Sequence, residues 1–174
     1  MSLSSYGRLA TEVYDITKPL GHSFGDVEFY LERLKSCTGR VLEPAVGTGR
    51  VLIPLMEAGL EIEGADNSPE MLAVCRARCA ERGLEPVLHE EDLGSLSSPE
   101  RYEAIIVPAG SFLLIERREQ SLGALKRFRE HLLPGGVSSW TSSCRPTSAW
   151  APSRRELWRH PRARRSRWSL RSWR

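Results

Sequence analysis

Two glycines and three acids are spaced as a ligand site would need them. The stretch Glu43-Pro44-Ala45-Val46-Gly47-Thr48-Gly49-Arg50 joins a short apolar segment to a longer one, and Asp66 falls seventeen residues past Gly49. Gly47 and Gly49 let the backbone bend tightly and bring a ligand close to main-chain amides. Asp66 closes a second apolar segment, the place for a carboxylate that accepts both hydroxyls of a ribose. Asp92 follows a third such segment and Pro108-Ala109-Gly110 a fourth. Open α/β sheets bind ligands at the carboxyl ends of their strands. Glu43, Asp66, Asp92 and the Pro108 turn all fall at or just past such ends.

The elements that would carry these residues alternate strand and helix, which predicts a parallel α/β sheet. Val27 to Leu34 reads as a lead-in helix with Phe29, Leu31 and Leu34 on its apolar stripe. Arg40 to Pro44 is a first strand, and Arg50 to Ala58 a helix with Pro54 near its start and Gly59 as its stop. Glu61 to Asp66 is a second strand. Ser68-Pro69-Glu70 then opens a helix to about Arg82, with Ser as N-cap, Pro in the first turn and an acid beside the positive helix end. Glu85 to His89 and Tyr102 to Val107 are the third and fourth strands, the latter apolar almost throughout, as a buried parallel strand should be. Glu116 to Leu133 is a long amphipathic helix, and Pro134-Gly135-Gly136 is its expected stop.

A glycine turn and an acid are shared with dinucleotide sites, so those two features alone do not choose a ligand. The dinucleotide fingerprint G-x-G-x-x-G has Leu52 in its sixth place here, and the Gly-Lys-Ser/Thr of a P-loop is absent. The wider pattern chooses. VLEPAVGTGRVLIPL resembles the first motif of class I S-adenosylmethionine-dependent methyltransferases, and EGADNSPEML resembles the second. EEDLGSL is similar to their acid after the third strand. YEAIIVPAGSFLLI, a long helix and PGG are similar to their fourth strand and the helix before the fifth. The resemblance spans about residues 24–136, and YGRLATEVYDITKP before it resembles the N-terminal segment of small-molecule members.

The resemblance implies a Rossmann-like, doubly wound sheet of parallel strands in the class I methyltransferase order, S-adenosyl-L-methionine as cofactor, and a small-molecule acceptor. Glu43 would lie near the methionine amino group, with Gly47 and Gly49 passing under the cofactor. Asp66 would hold the ribose, with Asn67 and Met71 beside the adenine, and Asp92 with Leu93 would meet the adenine amine and ring. Pro108 and Ala109 would lie by the sulfonium, and Tyr14 would help close the site. Ala45 stands where the family has the first motif glycine, and its methyl would cost affinity if it faced the ligand. Methyl transfer needs a general base only where the acceptor arrives protonated, and no catalytic residue is named from the sequence.

Composition sets the frame. The 174 residues are 40% hydrophobic and 27% charged, ordinary for a globular domain. No run reaches the roughly 20 apolar residues of a membrane helix, and the N-terminus lacks a signal-peptide core, so the expected place is the cytoplasm. Cys37, Cys75, Cys79 and Cys144 have no framework spacing. Cys75 and Cys79 fall on one helix face without a second ligand pair, so buried thiols are expected there and no metal.

The net charge of +3 conceals two unlike segments. Residues 137–174 hold ten arginines, no lysine and one acid, a charge of +9 that leaves −6 on residues 1–136. They also hold all five tryptophans and nine serines. Arginine with interleaved tryptophan could serve a nucleic-acid methyltransferase, by phosphate contact and base stacking. The genetic code favours another origin. Read one nucleotide upstream, the tryptophan codon TGG becomes N-T-G, which encodes Leu, Val or Met. A TCN serine codon becomes N-T-C, which encodes Phe, Leu, Ile or Val. A Ser- and Trp-rich stretch is what an apolar strand looks like one frame out. The expected organisation is therefore a cofactor-binding domain over 1–136, with 1–35 as its N-terminal lid, and a non-native or disordered tail over 137–174. The sheet would then be incomplete at its C-terminal edge.

Overall fold

The computed structural model describes residues 7–141 and the backbone of 156–159. Two helices lead in, α1 (Arg8–Thr17) and α2 (Asp26–Leu34). Strand and helix then alternate: β1 (Val41–Pro44), α3 (Leu52–Glu57), β2 (Ile62–Asp66), α4 (Pro69–Ala80), β3 (Val87–Glu90) and β4 (Tyr102–Val107). A 3-10 turn (Ser111–Leu114), α5 (Arg118–His131), β5 (Leu132–Trp140) and β6 (Glu156–Arg159) complete the order. The helix starting at Pro69 forms as its sequence predicts: Ser68 is the N-cap, and its hydroxyl accepts from the Met71 amide at 3.1 Å.

The strands lie in the order β3-β2-β1-β4-β5-β6, with β1 to β5 parallel and β6 antiparallel to β5. This is the Rossmann-like sheet expected. The chain winds outward from β1 in one direction, then returns to add β4 on the other side. The crossovers on either side of β1 therefore leave from opposite faces and open a crevice at its carboxyl end.

Two apolar layers cover the sheet. On one face Tyr30 and Leu34 of α2, Leu52 and Leu55 of α3, and Leu72, Cys75 and Cys79 of α4 pack on Val41, Ala104 and Ile106. On the other, Phe128 of α5 and Leu96 pack on Leu42, Ile105 and Val107. Ile105, Ile106 and Val107 are each no more than 1% exposed, and each such burial stabilises by roughly 1.5–3 kcal/mol. Cys75 and Cys79 are buried free thiols and Cys37 a half-buried one. Among the described residues no helix is long and apolar enough to cross a membrane.

Pro134-Gly135-Gly136 does not behave as expected. The helix has already ended at His131, and the three residues lie within β5, with Gly135 at a φ of +89° and the register against β4 shifting between Tyr102 and Ala104. A left-handed glycine beside a proline makes a bulge here and not a stop. The strand then crosses the composition break at Gly136: Val137, Ser138, Ser139 and Trp140 pair with Ala104 to Val107. The parallel sheet thus extends one strand beyond β4, because backbone pairing needs no apolar side chain. The out-of-frame reading of residues 142–155 and 160–174 lies outside the described residues.

Candidate functional site

At the crevice the chain leaves β1 through Glu43 and turns back within six residues. Glu43 is 3% exposed, and its Oε2 is buried without a hydrogen-bond partner. Burial holds its carboxyl well above the usual range; the Asp26 and Asp66 charges add to this and the Arg50 charge opposes it. Ala45 has a φ of +62°, a left-handed conformation that favours glycine. That is a backbone reason for glycine at this motif position, separate from contact with a ligand.

Gly47 and Gly49 serve different needs. Gly47 donates its amide to Asp66 Oδ2 at 2.8 Å, and a Cβ there would meet nothing nearer than the Tyr14 hydroxyl at 3.8 Å. A Cβ there would be in ordinary contact with Tyr14 and Met71, so the φ of +57° is what favours glycine. A Cβ on Gly49 would lie 2.7 Å from Cys75 Sγ and 3.0 Å from Ile53 Cδ1. Its constraint is packing against the apolar core, with a φ of +83° besides.

Asp66 closes β2 and holds two strand ends together. Its Oδ2 accepts from Gly47 and its Oδ1 from the Ser68 amide at 3.0 Å. Burial raises its carboxyl, against the pull of those amides. The Asn67 amide also bonds the carboxylate, which keeps acceptor capacity for a further donor. Asn67 donates to Asp92 Oδ2 at 3.2 Å, and Asp92 Oδ1 accepts from the Gly94 amide at 2.8 Å, so the loop past β3 is tied to the end of β2.

A cavity of about 330 Å³ opens at these strand ends, lined by Ala45, Asp66, Asn67, Asp92, Leu93, Ile115 and Gln120 among others. A smaller cleft beside it is lined by Tyr14, Glu43, Ala45, Arg50, Pro108 and Ala109. All but three of the sequence-predicted residues line one of these spaces. Gly47 and Met71 sit beside them, Met71 with its Sδ 3.9 Å from the Gly47 Cβ position, and Gly49 faces the core. Tyr14 reaches the cleft from α1, far away in sequence.

Several contributors carried no sequence signal. Arg50 is 3% exposed and pairs with Asp26, its Nη1 donating to Oδ1 at 3.0 Å and to the His22 carbonyl at 3.1 Å. Burial would raise the Asp26 carboxyl, but the Arg50 hydrogen bond and charge, with backbone amides, hold it below the usual value. The pair locks the start of α2 against the glycine turn. Thr141 pins the loop past β4, its Oγ1 accepting from the Ala109 amide at 3.0 Å and its carbonyl from Gly110 at 2.8 Å. Ala109 too is left-handed, with a φ of +56°.

Residues 41–136 match the family model described as a methyltransferase domain. A demethylmenaquinone methyltransferase of Thermus thermophilus is 37% identical over 106 residues, 59% of this chain and 46% of that protein. A dTDP-3-amino-3,6-dideoxy-alpha-D-glucopyranose N,N-dimethyltransferase of Streptomyces fradiae is 28% identical over 77% of this chain and 53% of its own length. Among solved structures, the CcbJ methyltransferase of Streptomyces caelestis superposes with a TM-score of 0.67 at 26% identity, covering 78% of this chain and 56% of that one. The glycopeptide N-methyltransferase MtfA in complex with S-adenosyl-L-methionine superposes at 0.61 and 25% identity, covering 79% and 66%. The chain spans about half the length of the curated relatives it matches.

Proposed function

This chain belongs to the methyltransferase domain family of class I S-adenosylmethionine-dependent methyltransferases, and we propose that it binds S-adenosyl-L-methionine in the crevice and passes the methyl group to a small-molecule acceptor. The observation that carries this reading is the orphaned, buried Glu43 oxygen in a cleft that shares Ala45 with the 330 Å³ cavity. A buried acceptor without a donor is costly unless a ligand supplies one. An α-ammonium is such a donor. Asp66 has acceptor capacity left for a ribose hydroxyl, and Asp92 with Leu93 offers an acceptor and an apolar surface to an adenine. The residues fit the cofactor.

When bound, the cofactor supplies a methyl group on a sulfonium, open to in-line displacement by a nucleophile. The chain's own residues bind, orient and exclude water. Glu43 would take the ammonium, Asp66 would fix the ribose, and Asn67 would hold Asp92 in place for the adenine amine. Pro108 and Ala109, rigidly held by Thr141, would wall the sulfonium side, with Tyr14 above the glycine turn. Orientation of this kind accounts for much of the acceleration in such displacements. The relatives named above are, by name, methyltransferases of an amino sugar, a glycopeptide and demethylmenaquinone, which supports a small organic acceptor over nucleic acid.

The reading extends to the C-terminal segment. Ser138 and Ser139 are 5% and 3% exposed, on opposite faces of a strand that lies between β4 and β6. Interior parallel strands take apolar residues at such positions, and an upstream frame converts TCN serines and the Trp140 codon to apolar residues. This supports residues 137–174 as an out-of-frame version of the family's last strands, with 1–136 as the cofactor-binding unit. A calorimetric titration of the full chain with S-adenosylmethionine, its demethylated product and NAD tests the binding. Preference for NAD, or no binding of the first two, refutes it. An acceptor screen then separates an enzyme from a bare binder, and resequencing of the coding region decides the frame.

A further inference from the structure

From α4, Arg78 hydrogen-bonds both α1 and the glycine turn. Its Nη2 donates to Asp15 Oδ2 on α1 at 2.8 Å. Its Nη1 donates to Thr48 Oγ1 at 3.0 Å and approaches the Thr48 carbonyl at 3.4 Å, between Gly47 and Gly49. The Arg78 and Asp15 side chains are 18% and 24% exposed, so water screens the pair only in part. One guanidinium therefore holds α1 on one side and the glycine turn on the other. The planar fork makes this possible, since its donors point in two fixed directions.

The outward face of α1 carries Leu9, Val13 and Ile16, which are 75%, 53% and 80% exposed. Its inward face is narrow: Thr11 is buried, and Tyr14 and Asp15 are half-buried. Among the described residues Asp15–Arg78 is the one ion pair between α1 and the rest of the chain. The link to α2 contains Gly21 and Gly25 at φ of +85° and +82°. Tyr14, one residue before Asp15, lines the cleft shared with Glu43 and Ala109 and stands beside Gly47.

We propose that Arg78 is a positioning residue that latches α1 over the bound cofactor, holding Tyr14 against the methionine end and setting how fast the cofactor leaves. The proposal rests on the cofactor reading above. Arg78 lines neither space of the site and acts through Asp15 and Thr48. Fixing the turn and the cover with a single group makes closure of α1 and the shape of the turn one event. A purely structural ion pair would move the melting temperature without a particular effect on ligand release.

The test uses the full chain and S-adenosylhomocysteine as probe. Release is followed by stopped flow, and amide exchange of residues 8–17 is measured with and without the probe. Arg78→Ala and Asp15→Asn should each speed release about tenfold, as expected for loss of a charge-assisted pair. The double variant should release no faster than either alone, and Arg78→Lys should fall between. Bound probe should protect the α1 amides in the wild type and not in Arg78→Ala. Should Arg78→Ala fail to fold, Asp15→Asn decides by the same measurements. If the wild type binds no probe, the cofactor reading fails first. If it binds and the variants release and exchange like the wild type, or if the two single effects add in the double variant, the latch is wrong while the cofactor reading stands.

Discussion

Glu43→Gln should strengthen the empty protein and weaken its grip on the cofactor. In the unfolded chain this carboxyl titrates near 4.5, whereas burial in the fold holds it well above that. A carboxyl raised in the native state keeps a proton that the unfolded chain releases. Native stability is therefore greatest below the unfolded value and falls as pH rises from 4.5 towards the folded value. Glutamine cannot ionise, so the variant should lose this pH dependence. It still buries a polar group, so the gain at about pH 8 is only a part of the roughly 1–3 kcal/mol charged to an orphaned buried acceptor. About 1 kcal/mol corresponds to roughly 2–4 °C in melting temperature for a domain of this size. Against that, an ammonium loses a charged partner, which costs roughly 1–3 kcal/mol, or about 5- to 150-fold in affinity. Thermal melts across about pH 5 to 9 read the first effect, and calorimetry reads the second. Run in two buffers of unlike ionisation enthalpy, the wild type should release a proton on binding and the variant should not. A variant that melts lower than the wild type at the alkaline end, or that binds equally well, refutes the reasoning.

Asp66→Ala should weaken cofactor binding by roughly 1–3 kcal/mol, and it should also lower the melting temperature, because the Gly47 and Ser68 amides lose their acceptor; unchanged calorimetry would contradict the ribose assignment. Ala45→Gly should stabilise the chain by about 0.5–1 kcal/mol by relieving the left-handed alanine; a lower melting temperature in denaturation scans would show that the backbone strain is not felt. Ser139→Val should stabilise by about 1–2 kcal/mol, since the position is 3% exposed in an interior strand, and a denaturant midpoint that falls would mean the hydroxyl is needed there.

The glycine turn, the strand-end acids and the N-cap at Ser68 were legible in the sequence because each is a local requirement. A tight turn needs glycine, a helix start needs a capping oxygen, and a buried parallel strand needs an apolar run such as Tyr102 to Val107. Those local signals in their order were enough for a parallel α/β sheet, and the resemblance to class I methyltransferases supplied its strand order. Tertiary structure decided what depends on residues distant in sequence. That a side chain at Gly49 would meet Cys75 and Ile53 follows from how α3 and α4 pack. That Arg50 meets Asp26, and Arg78 meets both Asp15 and Thr48, follows from where α1 and α2 fold back. The proline and two glycines after α5 read as a stop, yet β4 offered them a pairing edge and made them a bulge. Local composition specifies turns, caps and strand interiors through short-range sterics and hydrogen bonding. Pairings across tens of residues carry no local signature, and only the folded chain brings them together.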